Sequence, residues 1–269
     1  MRNKISIQFF LCILAVELSF CQQRDSINAV KLDSTVVKID TTKQPLRLGA
    51  AVLLTNNGIS LIPSFSLGEP AIMFAFIVGK KRFSFEPEFR FSLKGKPWTF
   101  LFWFRYRLIA TDKFRLGIGI HPSFNFRTIT AQVNGDSTEI IQTRRFLTGE
   151  IAPNYFITKN ISVGVYYLGG RGYDYSSAYW TDFFTINANF SNIKLANQVY
   201  ARFIPQIYYL RQDELEGYYW TASLGIAHRK FPVSVLGVVN QSIKTTIPTK
   251  DFLWSVGLIY SFNKVYVPL

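Results

Sequence analysis

From about Gly58 to Phe262 the chain alternates, with apolar residues at every second position and polar or small residues between them. In Arg82 to Leu93, Phe83, Phe85, Pro87, Phe89, Phe91 and Leu93 share one parity, while Ser84, Glu86, Glu88, Arg90 and Ser92 share the other. Phe114, Leu116, Ile118, Ile120, Phe124 and Phe126 alternate with Arg115, Gly117, Gly119, His121, Ser123, Asn125 and Arg127. Successive side chains on a strand point to opposite faces, so a period of two predicts strands with one greasy and one wet face. Turn signals such as Gly68-Glu69-Pro70, Gly95-Lys96-Pro97 and Asn134-Gly135-Asp136 cut the pattern into segments. Twelve strands are expected, near 58–67, 70–79, 82–93, 98–111, 114–132, 138–156, 161–170, 182–193, 199–211, 217–228, 231–241 and 251–262. The alternation alone fits either a two-sheet sandwich or a barrel.

Composition and the first residues separate those two. The chain carries 25 Phe, 14 Tyr and 5 Trp, and 17% of it is charged, below the ~25% of an ordinary soluble domain. Arg2 and Lys4, the apolar run Ile5–Val16 and Ser19-Phe20-Cys21 read as a signal peptide cut after Cys21. Acylation of Cys21 is the alternative, with Phe20 standing where a small residue is expected. Both cysteines, Cys12 and Cys21, lie in this segment, so the expected mature chain has no thiol chemistry. Losing two positive charges and one negative (Glu17) lowers the net charge from +13 to +12. No later charge-free apolar run approaches the ~20 residues of a spanning helix. Strands that cross a bilayer at a tilt need only ~9–11 residues. The reading is an all-β chain forming one antiparallel transmembrane β-barrel of about twelve strands. Residues 1–21 are signal, 22–57 a periplasmic lead-in or lumen-associated segment, and 58–269 the barrel. Leu46–Thr55 would make an odd thirteenth strand, so it is assigned to an extension of the first strand or to a segment in or under the lumen.

With its signal, dyad pattern, short alternate turns and final strand Phe252-Leu253-Trp254-Ser255-Val256-Gly257-Leu258-Ile259-Tyr260-Ser261-Phe262, the chain resembles the outer-membrane β-barrel proteins of Gram-negative bacteria over residues 58–262. Such proteins often end on an aromatic residue; here seven residues follow Phe262. The resemblance implies an outer-membrane location, with membrane lipids, lipopolysaccharide and the barrel assembly machinery as partners.

Parity assigns Glu86, Glu88, Arg90, Arg105, Arg107, Arg115, His121, Arg127, Arg144, Glu150 and Arg202 to the lumen. Pairing about the turns sets Glu86 opposite Arg105, Arg105 opposite His121, and His121 near Glu150. Seven arginines against three glutamates suggest a porin-like channel preferring small anionic solutes, because arginine rings favour anions. Twelve-stranded channels for acidic sugars are similar in having arginine-lined lumens. The alternative is a closed structural or surface-interaction barrel filled by ion pairs. A more distant alternative is a lipid hydrolase using His121 and Ser123, which share a strand face. The favoured reading has no catalytic residue, metal or cofactor. The basic charge follows strand alternation and forms no stripe, which argues against nucleic acid. Arg171, Tyr173, Tyr175, Tyr179 and Trp180 are expected in an outer loop, and Phe100, Phe102, Phe104, Tyr106, Trp220 and Trp254 on the lipid face.

Overall fold

A computed structural model describes residues 45–133 and 136–266. The expected signal peptide with both cysteines, the expected lead-in up to residue 44 and the Asn134 turn lie outside the described residues. The rest forms a closed antiparallel barrel of twelve strands, each paired with its neighbours in chain order and the last with the first. The strands are β1 (Leu46–Thr55), β2 (Ala71–Lys80), β3 (Phe83–Ser92), β4 (Pro97–Ala110), β5 (Phe114–Val133), β6 (Asp136–Phe156), β7 (Ile161–Gly172), β8 (Trp180–Ala196), β9 (Val199–Gln212), β10 (Leu215–His228), β11 (Val233–Thr245) and β12 (Phe252–Tyr266).

The expected number of strands is present, but the first is a different segment. Leu46–Thr55 is β1 and closes the barrel against β12, from Leu46↔Tyr266 to Thr55↔Gly257. The barrel therefore starts at Leu46, inside what was read as lead-in. Its inward residues include Gly49, Ala51 and Leu53 and its outward ones Leu48, Ala50, Val52 and Leu54. Its inward face is polar only at its ends, Arg47 and Thr55, so alternation is weak there. The segment expected as a strand at 58–67 instead holds a one-turn 3-10 helix at Pro63–Phe65 within the β1–β2 connection. Pro63 at its start has no N–H to give to a ladder.

Connections at the end holding Leu46 and Tyr266 span two to four residues; those at the other end include 56–70, 173–179 and 246–251. These are called the turn end and the loop end below. Every strand turns apolar side chains outward, among them Leu54, Phe76, Phe83, Phe104, Ile120, Ile151, Ile186, Ile207, Leu224, Val235 and Val256. A continuous apolar belt far exceeds the few hundred Å² that soluble monomers expose, and is the outer surface a barrel needs in lipid. Beyond Asn125 and Phe146, β5 and β6 pair only with each other, so Phe126↔Thr143 to Val133↔Asp136 stand above the rim as a two-stranded ribbon.

Candidate functional site

The inward faces differ around the barrel. On β3 to β6 they carry charge; on β10, β11, β12, β1 and β2 they carry chiefly Tyr219, Leu236, Val238, Leu253, Ile259, Leu53, Met73 and small or hydroxyl residues, with Asn240 among them and Arg47 at the turn end. All eleven residues expected in the lumen lie on the inward parity, and the ladder decides which of them meet.

Arg105 on β4 is the centre of the charged wall. Its Nη1 donates to Glu86 Oε2 at 2.7 Å, its Nε to Glu150 Oε1 at 2.7 Å and its Nη2 to Glu150 Oε2 at 3.2 Å. Ser84 Oγ donates to Glu86 Oε1 at 2.6 Å, and Tyr166 Oη to Glu150 Oε2 at 2.8 Å. The guanidinium lies 4.0 Å from the Trp103 ring, which in turn packs 3.8 Å from the His121 ring. The three charged side chains are at most 9% exposed. Buried ions need partners that fill their hydrogen-bonding capacity, and here two carboxylates, a hydroxyl and a phenol do so.

The contacts do not follow the expected register. Arg105 is opposite Ser84 and Gly119, not Glu86 and His121, and His121 is opposite Thr148. Parity is kept with a slip of two residues in each hairpin. The Arg105–Glu86 pair forms diagonally. The Arg105–Glu150 pair crosses Gly119, which sits between them in the ladder. A Cβ on Gly119 would lie 2.7 Å from Glu150 Oε1, so the missing side chain is what lets the carboxylate reach across β5.

Glu88 and Arg90 form a second buried ion pair, with Arg90 5.4 Å from the Trp98 ring. Arg107 donates to the Lys81 carbonyl at 2.5 Å, and Arg115 lies 4.5 Å from the Phe156 ring, both at the turn end. Arg202, on β9 and apart from this wall, donates from Nε to Asn189 Oδ1 at 2.7 Å. Toward the loop end, Arg127 Nη2 donates to the Ser64 carbonyl at 2.9 Å, and the buried Nε of Arg144 has no partner among the described residues. The arginines thus run from the turn end of the lumen to the ribbon above its rim, and the two most buried, Arg90 and Arg105, are both paired with acids. His121 and Ser123 face inward, 5% and 6% exposed, with no hydrogen bond between them among the described residues. Arg171 lies 5.6 and 4.7 Å from the rings of Tyr173 and Tyr179; those rings, Tyr175 and Trp180 are exposed.

The residues that fill the barrel were not singled out by charge. Trp98, Trp103, Tyr166, Phe183, Tyr208 and Tyr219 point inward and are at most 2% exposed. Parity exposes most of them: Tyr208 shares the face of Arg202 and Gln206. Trp98 does not follow parity, because the ladder shifts at Arg90/Phe91 opposite Pro97 and the bulge re-aims it. The connection 56–70 also enters the lumen. Trp98 Nε1 donates to the Phe65 carbonyl at 2.7 Å, Ser64 Oγ to Gln212 Oε1 at 2.7 Å, and the Phe65 and Phe146 rings are 5.2 Å apart. One buried cluster joins Leu53, Ile62, Trp98, Trp103, Leu210 and Leu236 from around the barrel.

No family model matches the chain, and no curated protein does. Among solved structures it is similar to OccAB3 of Acinetobacter baumannii at 11% identity over 81% of the chain, TM-score 0.40, spanning 65% of that protein's length. It is similar to the KdgM porin at 11% identity, covering 80% of this chain and 99% of that one, TM-score 0.45. LpxR from Salmonella typhimurium is 9% identical, with 80% and 99% covered and a TM-score of 0.47. At these identities the likeness is one of barrel fold only.

Proposed function

We propose that the protein is an outer-membrane β-barrel whose lumen is closed in its resting state. The carrying observation is the buried cluster that crosses the lumen, with the 56–70 connection folded into it. The apolar belt supports the membrane location, and the long-loop end would face outward. On this reading the ion pairs of β3 to β6 neutralise a packed interior and do not line an aqueous bore. Partners are membrane lipids, lipopolysaccharide and the assembly machinery.

Passage of small anionic solutes is the second reading. It is favoured by Arg127 and Arg144 at the loop end and by an obstruction made partly of one connection. Planar-bilayer conductance separates the two. The closed barrel gives no steps from the refolded full chain. Anion-selective steps from that chain would overturn it in favour of the channel. Replacing residues 57–69 by Gly-Ser-Gly asks whether the connection is the gate: conductance only after replacement supports a gated path, and silence supports a lumen closed by its walls. A hydrolase would need lipid to reach His121 and Ser123 inside the barrel; detectable phospholipid hydrolysis, lost in Ser123→Ala, would revive that role.

A further inference from the structure

The positive charge of the barrel is gathered at one end. The five short connections of the turn end, the three strand residues on either side of each, and the first and last three residues of the barrel carry eleven lysines or arginines and one carboxylate, Asp112. All other described residues together carry thirteen and twelve. Nearly the whole surplus therefore sits at the turn end, and the hairpins assemble it from positions scattered between Arg47 and Lys264 in the sequence. It is not at the loop end, where attraction to lipopolysaccharide would place it.

Two features select the partner. The first is the position of the charge against the apolar belt. Lys80 continues the outward row of Phe76 and Val78 on β2, and Lys264 that of Tyr260 and Phe262 on β12; the four apolar side chains are exposed. Lys80 is opposite Leu46 and Phe83, and Leu46 is opposite Tyr266. Lys264 Nζ lies 5.7 Å from the Phe262 ring. Lysines beside exposed aromatics suit a membrane interface, where the stem stays with hydrocarbon and the ammonium reaches the headgroups. Connections of two to four residues keep the turn cations near the same level.

The second feature is that the charge forms a closed ring. Lys81, Lys113, Lys159, Lys194 and Lys230 lie in or beside the five turns, one to each, and Lys264 stands at the seam. None of these six is in an ion pair among the described residues. A docked protein covers one side of a rim, whereas the lipid around a barrel meets all of it. Residues 22–44, with four basic and three acidic side chains, lack the negative charge to cover the ring themselves.

We propose that the turn end is an annular binding surface for the headgroups of anionic phospholipids. The proposal rests on the reading of the chain as a membrane barrel and is independent of whether the lumen conducts.

The full chain, refolded into phosphatidylcholine vesicles with trace spin-labelled lipid, tests it by electron spin resonance, which reads the share of each lipid immobilised against the protein. Labelled phosphatidylglycerol should be enriched at least about threefold over labelled phosphatidylcholine at low salt. The enrichment should fall toward unity as added salt shortens the screening length. Combining Lys81→Gln, Lys159→Gln and Lys230→Gln should at least halve it. Combining Lys94→Gln, Lys244→Gln and Lys250→Gln removes the same charge from the loop end and should leave it unchanged. All six lysines are exposed, so both variants should fold, which heat-modifiable gel migration checks. Equal association of the two lipids, full enrichment in the folded turn-end variant, or equal loss in both variants would overturn the proposal and leave the barrel reading intact. So would saturable binding of poly-glutamate, lost only in the turn-end variant and without lipid enrichment, which would assign the ring to an acidic protein. A chain that inserts into no vesicle would overturn the membrane reading itself.

Discussion

The lumen of this barrel is filled in two ways. On β3 to β6 the inward side chains are long and charged, and the space is closed by ion pairs with glycine gaps between them. On β10 to β12 and on β1 and β2 the inward side chains are mostly aliphatic, aromatic or hydroxyl, and the space is closed chiefly by volume. Tyr208 and Tyr219 stack at 4.9 Å with planes 10° apart, capped by Asn240 and Thr245 through their hydroxyls. A buried ion holds its place only while its partner stays; a buried leucine holds its place by contact with everything around it. The charged wall should therefore fail abruptly, and the apolar wall in proportion to the atoms removed.

The largest expected effect is at Arg105. Arg105→Ala leaves Glu86 and Glu150 buried without their cation and should cost about 3–5 kcal/mol of unfolding free energy, read by urea titration in micelles. The comparison sharpens if Glu86→Gln, Arg105→Met and Glu150→Gln are combined. That triple variant should recover most of the loss, because no charge is stranded. If it is no better than the single variant, the wall is held by shape and the two sides do not differ in kind.

A smaller loss is expected on the opposite side. Leu236, 2% exposed on β11, should cost about 2–4 kcal/mol as Leu236→Ala and under about 1.5 kcal/mol as Leu236→Met. Equal costs for the two variants would contradict filling by volume.

The smallest effect belongs to charge outside both walls. Asp174, in the 173–179 loop, accepts from Nε and Nη2 of the Arg145 guanidinium and from its backbone N–H, and the side-chain bonds first of all hold its carboxyl below the usual value of 3.8. A depressed carboxyl contributes stability above its unfolded value and loses it as pH falls through the folded one. Asp174→Asn should thus leave the urea midpoint unchanged within error at pH 7, and any small difference from the parent should fade as pH falls below 3.8 and through the lowered folded value. A clear shift at pH 7 would show that a solvent-exposed pair matters as much as a buried one.

Much of this was legible in the sequence. Alternation gave the outward belt, the inward parity of all eleven charged or histidine positions, and the sidedness of long and short connections, because a period of two survives any error in where strands begin. Register was not legible, since Arg105 can face Glu86 directly or diagonally without changing parity, and only turn geometry decides. β1 was set aside because 58–67 was counted as a strand and a thirteenth would break parity, and the 56–70 insertion was missed because Ile62 and Phe65 look like strand residues until their partners across the lumen are known.

The connection that fills the lumen follows β1, and β1 is also half of the seam that closes the barrel, with Leu46 and Tyr266 paired across nearly the whole described chain. Ser64 and Phe65 reach Gln212, Trp98 and Phe146 from within, and the seam joins the two ends of the described barrel, so its closure carries the largest loop entropy of any strand pairing in the sheet.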